Sequence, residues 1–170
     1  MYRSLIVFVV LWVMMQGNVR SQATITAQAS AEVIEALTAT ETNQLSFGRF
    51  ATSNTGGNIV MDPTGNRQAV GAVMLVAGPA GPGQFQLTGF PDATVTIQLP
   101  DGPAVLLHQS TGETMIVDNW VSDPPTGNGP ATLTNGSALV SIGATLSVGS
   151  YEENPVGVYA GTFQLTFAYN

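Results

Sequence analysis

The sequence predicts an all-β protein, an immunoglobulin-like β-sandwich in a single domain, and three observations carry that prediction. Short runs rich in Val, Ile, Thr and Phe place apolar residues at every second position, the period of a strand with one face buried. Nineteen Gly and ten Pro fall between those runs, which is punctuation by turns and not the composition of a low-complexity chain. No internal repeat is visible along the chain, so a propeller or solenoid loses ground to one sandwich of many short strands.

In chain order, Arg3 precedes the apolar run 5–15, and the small-x-small triplet Ser21-Gln22-Ala23 follows. The run is shorter than the about 20 residues of a bilayer-crossing helix. A positive start, a short apolar centre and a small-residue cleavage site predict a secretory signal peptide over residues 1–23; the alternative is a buried N-terminal helix. The protein is therefore expected to be exported, in the periplasm, at the cell surface or outside the cell, with no membrane span after leader removal. Residues 24–33 then form an N-terminal extension or an edge strand, and residues 34–170 the sandwich.

The candidate strands are 24–33, 35–48, 58–62, 70–76, 84–89, 93–99, 104–108, 114–121, 131–134, 138–148 and 158–169. Residues 31–40 (AEVIEALTAT) have helix-forming Ala and Glu, but Thr-rich alternating sequence on both sides argues for strand. Asn135-Gly136 and Asp101-Gly102 sit between strand candidates and tolerate the positive φ of tight hairpin turns. The Pro/Gly-rich stretches 78–83 and 123–130 read as exposed loops.

Composition excludes several functions. With no Cys, disulfides, zinc-thiolate sites and thiol catalysis are out, and the domain must be held by burial and backbone pairing alone. Four basic residues, none of them Lys, stand against eleven acids for a net charge of −7, a poor match to nucleic acid, which demands cations. With 44% hydrophobic and 9% charged residues, the chain is also unlike a disordered one.

Catalytic and metal candidates are few. His108 is followed by Ser110 and Glu113, which suggests a hydrolase triad. A triad is defined by geometry, however, and no nucleophile-elbow motif accompanies these residues. Asp62, Asp101, Asp118 and Asp123 are oxygen donors without the spacing of a calcium loop. The turn Glu152-Glu153-Asn154-Pro155 reads as solvated. Trp120 fits a sandwich core, with carbohydrate stacking at a loop edge as the alternative. The sequence therefore predicts no cofactor, no metal site and no enzyme.

The strongest pattern is C-terminal. Tyr159, Gly161, Phe163, Leu165, Phe167 and Tyr169 alternate with polar or small residues, and Gly157 shares their parity, which places them on one face of a strand. This end resembles that of chaperone–usher pilus subunits, whose terminal strand has alternating apolar residues, a penultimate Tyr and a Gly fourteen places from the end. Tyr169 and Gly157 occupy those places. The resemblance implies that Gly157, Tyr159, Phe163, Leu165, Phe167 and Tyr169 form the strand held by a periplasmic chaperone beside an unfilled groove. It also implies that Ile25, Ala27, Ala29, Ala31 and Val33, which alternate with polar residues, form a donor strand for the groove of a neighbouring subunit. The partners are then other copies or related subunits, by strand addition. Many pilins carry a cysteine pair that is absent here. The alternative is that residues 24–33 form an edge strand of their own domain.

The chain is also similar to the domain of unknown function 4402 group of small exported bacterial proteins. The similarity lies in Leu45-Ser46-Phe47-Gly48, Phe85-Gln86-Leu87-Thr88-Gly89, Val95-Thr96-Ile97-Gln98-Leu99-Pro100, Ile142-Gly143-Ala144-Thr145-Leu146 and Gly157-Val158-Tyr159-Ala160-Gly161-Thr162-Phe163. That group implies no activity. The function expected is a non-catalytic structural protein, pilin-like and assembled by donor-strand exchange. The alternative is a self-complete surface domain that binds a glycan or protein.

Overall fold

The computed structural model describes residues 21–126 and 131–170; the apolar run 5–15 of the expected leader and part of the loop 123–130 lie outside the described residues. Among the described residues, eleven strands run in order as β1 (Thr38–Asn43), β2 (Arg49–Met61), β3 (Arg67–Val76), β4 (Gly83–Thr88), β5 (Thr94–Gln98), β6 (Ala104–His108), β7 (Thr114–Asp123), β8 (Ala131–Thr132), β9 (Ser137–Val148), β10 (Tyr159–Ala160) and β11 (Thr166–Tyr169). The protein is all-β, and its ladders are antiparallel. The immunoglobulin-like sandwich is compatible with this arrangement.

The organising strand is β9. One of its edges pairs with β7 from Ile116 opposite Ser147 to Asp123 opposite Ser141. Its other edge pairs first with β4, Gly83 opposite Ile142 through Thr88 opposite Ser137, and then with β2, Gly57 opposite Val148 through Met61 opposite Ala144. Gly143 stands at the exchange of partners. A Cβ there would overlap the Met61 carbonyl oxygen and crowd the Asp62 and Pro63 backbone, so a side chain at this point would push the strands apart. The large sheet runs β1-β4-β9-β7-β6-β10 with β2 and β3 branching from β9, and the small sheet runs β11-β5-β8.

Alternation along these strands builds two apolar clusters. Ile59, Met61, Val73, Val117, Leu146 and Val148 belong to the first, and Leu87, Val95, Ile97, Leu133, Val140 and Ile142, contributed by both sheets, belong to the second. Trp120 packs against both clusters. Full burial of such side chains contributes about 1.5–3 kcal/mol each.

Several expectations are corrected. Residues 24–33 carry no strand, and all are exposed. Of 35–48, only Thr38–Asn43 is strand, and nothing in 31–40 is helical. The strand expected at 58–62 begins at Arg49, because Phe50 and Thr52 pair with β3 ahead of a bulge between Thr52 and Gly57. Asn135-Gly136 forms the expected tight turn, with φ of 53° and 81°. Asp101-Gly102 closes no hairpin, since β5 and β6 lie in different sheets. The end of the loop 78–83 is not exposed: Pro82 and Gly83 are buried, and Gly81 bridges to Ser46.

The terminal strand expected at 158–169 is divided. Tyr159–Ala160 pairs with β6 in the large sheet and Thr166–Tyr169 pairs with β5 in the small one. Residues 99–106 stand opposite only residues 161–165, because Ala160 faces Leu107 and Thr166 faces Gln98. The surplus on the β5–β6 side loops out at Pro100-Asp101-Gly102-Pro103, and the ladder breaks there. Period two in the sequence survived this break, since the side chains still alternate; the change of sheet is set by the partner strand and has no local signal.

Candidate functional site: the terminal strand and its seam

The side chains of the terminal segment keep their alternation throughout. Tyr159, Phe163, Leu165, Phe167 and Tyr169 are half-buried, while Ala160, Thr162, Gln164, Thr166 and Ala168 are exposed. Phe163 and Phe167 meet Phe85 of β4 with ring centroids 6.5 and 6.1 Å apart, and Phe163 also lies 4.7 Å from Trp120. The Tyr169 hydroxyl donates to the Glu35 carbonyl oxygen at 3.0 Å and accepts from the Phe90 amide at 2.8 Å. The terminal segment thus spans both sheets, and its last residue is tied to the residues that lead into β1.

Among the described residues, β10 pairs only with β6, β11 only with β5 and β1 only with β4. β1 and β10 thus lie at opposite ends of the large sheet and β11 at one end of the small one, each with one edge unpaired among the described residues. All six residues of β1 are exposed, although a strand over a covered core hides alternate side chains. The inner face of β1 is uncovered, and the aromatic group beside it is only half-buried. The other half expected at this site, Ile25, Ala27, Ala29, Ala31 and Val33, is exposed, with Ile25 at 89% and Val33 at 96%.

His108 anchors the start of the terminal segment. The ring is buried; Nδ1 accepts from the Ser110 and Thr111 amides at 3.2 and 3.1 Å, and Nε2 donates to the Val156 carbonyl oxygen at 3.3 Å. These partners assign the tautomer. Thr111 Oγ1 lies 2.6 Å from Nδ1 and also meets the Glu113 carboxylate, so its single proton serves one acceptor at a time. Tyr159 stands edge-on to the ring at 4.9 Å, and its hydroxyl donates to the Pro155 carbonyl oxygen. Burial, followed by the Glu113 charge, pushes the Tyr159 phenol above its ordinary value. Gly157 packs against the Nε2 end of the ring, where a Cβ would overlap Nε2. Ser110 reaches the imidazole through its backbone amide, and the polar contacts of His108 go to the turn and to the approach of the terminal strand. This contact between Gly157 and His108 had no signal in the sequence.

The remaining candidates are dispersed. Asp62 accepts from Thr64 and Asn66 within its own turn, and Asn154 is buried, tying Gly149 to Thr114. No group of three His, Cys, Asp or Glu that could hold a metal ion occurs among the described residues. A cleft of about 460 Å³ opens where the ladder breaks, lined by Gln98, Asp101, Thr162, Phe163 and Gln164 among others. Trp120 packs on Phe163 of this lining, with Nε1 donating to the Gly102 carbonyl oxygen. No helix of the described residues is long and apolar enough to cross a membrane.

Acid weakens this arrangement in a stated direction. The Thr111 hydroxyl, and then the backbone amide of Glu113 itself, hold the Glu113 carboxyl below its ordinary 4.5. Ser150 does the same for Glu153, and Thr64 with Asn66 for Asp62. A depressed folded-state pKa contributes stability that is present above the unfolded value and lost as pH falls through the folded one. The urea midpoint is therefore expected to fall as pH drops below about 4.5, with a shallower fall in Glu113→Gln. Superimposable profiles for the two proteins would remove Glu113 from the explanation.

No curated protein and no solved structure matches the chain. The profile of one family covers residues 37–169, which begins one residue before β1 and ends on Tyr169, so both edges of the seam fall within the match. The chain belongs to the family described as a domain of unknown function, DUF4402.

Proposed function

We propose that this protein is a non-catalytic, exported structural subunit that polymerises by donor-strand exchange in the manner of a pilin. In this reading Ile25, Ala27, Ala29, Ala31 and Val33 of one copy enter the seam of the next. A periplasmic chaperone holds the strand from Gly157 to Tyr169 until they do. The observation that carries the reading is the position of the terminal segment. It is an edge of both sheets, its aromatic residues are half-buried, its last tyrosine bonds Glu35 ahead of β1, and β1 is wholly exposed. A strand added along the open edge of the terminal segment gains backbone hydrogen bonds, and its alternate side chains cover the open aromatic surface. The segment 24–33 has the required alternation and the exposure to be given away.

Deleting residues 24–33 is expected to abolish polymer while the remaining chain keeps its far-ultraviolet β signal. Adding the peptide TITAQASAEV in trans is expected to raise the thermal midpoint of the deleted form. Undiminished polymer after the deletion rules the mechanism out. A monomer at every concentration in both forms would instead favour a self-complete domain that binds a glycan or protein. The cleft lined by Gln98, Asp101, Thr162 and Gln164 would then be its first candidate surface.

A further inference from the structure

A different edge of the large sheet carries an inference that does not depend on the donor strand. Among the described residues β3 pairs only with β2, along Arg67–Val76, with one bulge opposite Ala72 and Gly71 at a φ of 86°; on either side of that irregularity its other edge presents amides and carbonyls to the open side. Long open edges are ordinarily protected by charge, proline, bulges or a covering segment. Here no charged residue occurs between Arg67 and Asp92, and β3 contains no Pro. Its outward positions include Val70, Met74 and Val76, which are 55%, 71% and 45% exposed. Its one cation is occupied: Arg67 donates to the Phe47 carbonyl oxygen at 2.7 Å and to that of Val76 at 3.0 Å.

We propose that the free edge of β3 pairs with β3 of a second copy, antiparallel about a two-fold axis, to make one sheet across two subunits. Charge selects the occupant. The chain carries eleven acids against four basic residues, so two copies repel one another over most of their surfaces. β1, by contrast with β3, carries Glu41 in its open strand. The β3 edge from Gln68 to Val76, which carries no charge, is where identical acidic molecules approach at least cost. A two-fold axis matches like patch to like patch, with the face holding Val70, Met74 and Val76 meeting the same face of the other copy in reverse order across the junction. Such a contact would join subunits or fibres side by side, at a distance in sequence and in the sheet from the terminal strand.

The test is sedimentation equilibrium on the full protein and on the form lacking residues 24–33. The dimer is expected in both, which separates it from donor-strand exchange. Val70→Lys/Met74→Lys is expected to weaken it tenfold or more, since like charges would face one another across the axis. Both side chains are already exposed, so the fold should be retained; Ile116→Lys, on the outer face of β7, should leave association unchanged. Added salt is expected to strengthen the dimer by screening the net negative charge, opposite to a contact held by ion pairs. Because the chain has no Cys, single-cysteine variants along β3 report the geometry directly, with oxidative cross-linking peaking at the position nearest the axis. A monomer at millimolar concentration and high salt, a dimer lost only with residues 24–33, or cross-linking at β1 or β10 in place of β3 would each overturn the proposal.

Discussion

Gly157→Ala is expected to destabilise the protein by about 2–4 kcal/mol, the sum of a steric displacement of about 1–3 kcal/mol and one weakened hydrogen bond of about 1 kcal/mol. The backbone at Gly157 has no left-handed φ, so alanine meets no torsional penalty there. The cost comes from the Cβ overlapping His108 Nε2. The ring cannot swing aside freely, because Ser110, Thr111 and Val156 hold both of its nitrogens and Tyr159 covers its edge. Moving it loosens the approach to β10 and with it the first part of the terminal strand. A double-mutant cycle checks the cause: His108→Ala should relieve much of the Gly157→Ala penalty, giving a coupling of about 1 kcal/mol or more, in the range of residues in direct contact. Strict additivity would mean that the collision does not set the cost. Chaperone-bound and free subunit should both show the defect, since the contact lies within one chain.

Trp120→Ala is expected to cost about 3 kcal/mol, at the low end of the range for removing a large aromatic side chain from a core because the ring is only half-buried. That corresponds to a fall in thermal midpoint of roughly 6–12 °C for a domain of this size. Trp120 touches both apolar clusters, stacks obliquely on Phe163 and donates to the Gly102 carbonyl oxygen. Its removal therefore opens the wall between the clusters and frees the loop that carries the β5–β6 crossover. Trp120→Phe should recover most of the packing but not the hydrogen bond. If Trp120→Ala instead left the midpoint unchanged, the ring would be a surface feature and carbohydrate stacking would become its better reading. The donor-strand reading also predicts a secondary effect, because Phe163 loses its neighbour within the seam.

What was legible in the sequence follows from what each signal depends on. The strands at Thr94–Gln98, Ala104–His108 and Ser137–Val148 were visible because alternation is a local property, imposed by one buried face wherever the strand sits. The Asn135-Gly136 turn was visible because its positive φ angles are intrinsic to those residue types. Asp101-Gly102 misled for the same reason: a turn-forming dipeptide does not say whether its flanking strands pair with each other. The extent of β2 was hidden because its segment 53–57 (SNTGG) reads as loop, and only the pairing of the residues on either side of 53–56 with β3 and β9 makes it a bulge within one strand.

The sequence by itself determined that the chain is all-β and uncharged along its last residues, and which side chains of the terminal segment share a face, since strand parity needs no partner. The tertiary structure alone decided that this segment crosses from one sheet to the other, that β1 and β3 are left as open edges, and that His108 packs against Gly157. Those features depend on which distant strand supplies the facing hydrogen bonds and ring surfaces, and pairing between residues far apart leaves no periodic trace in either partner.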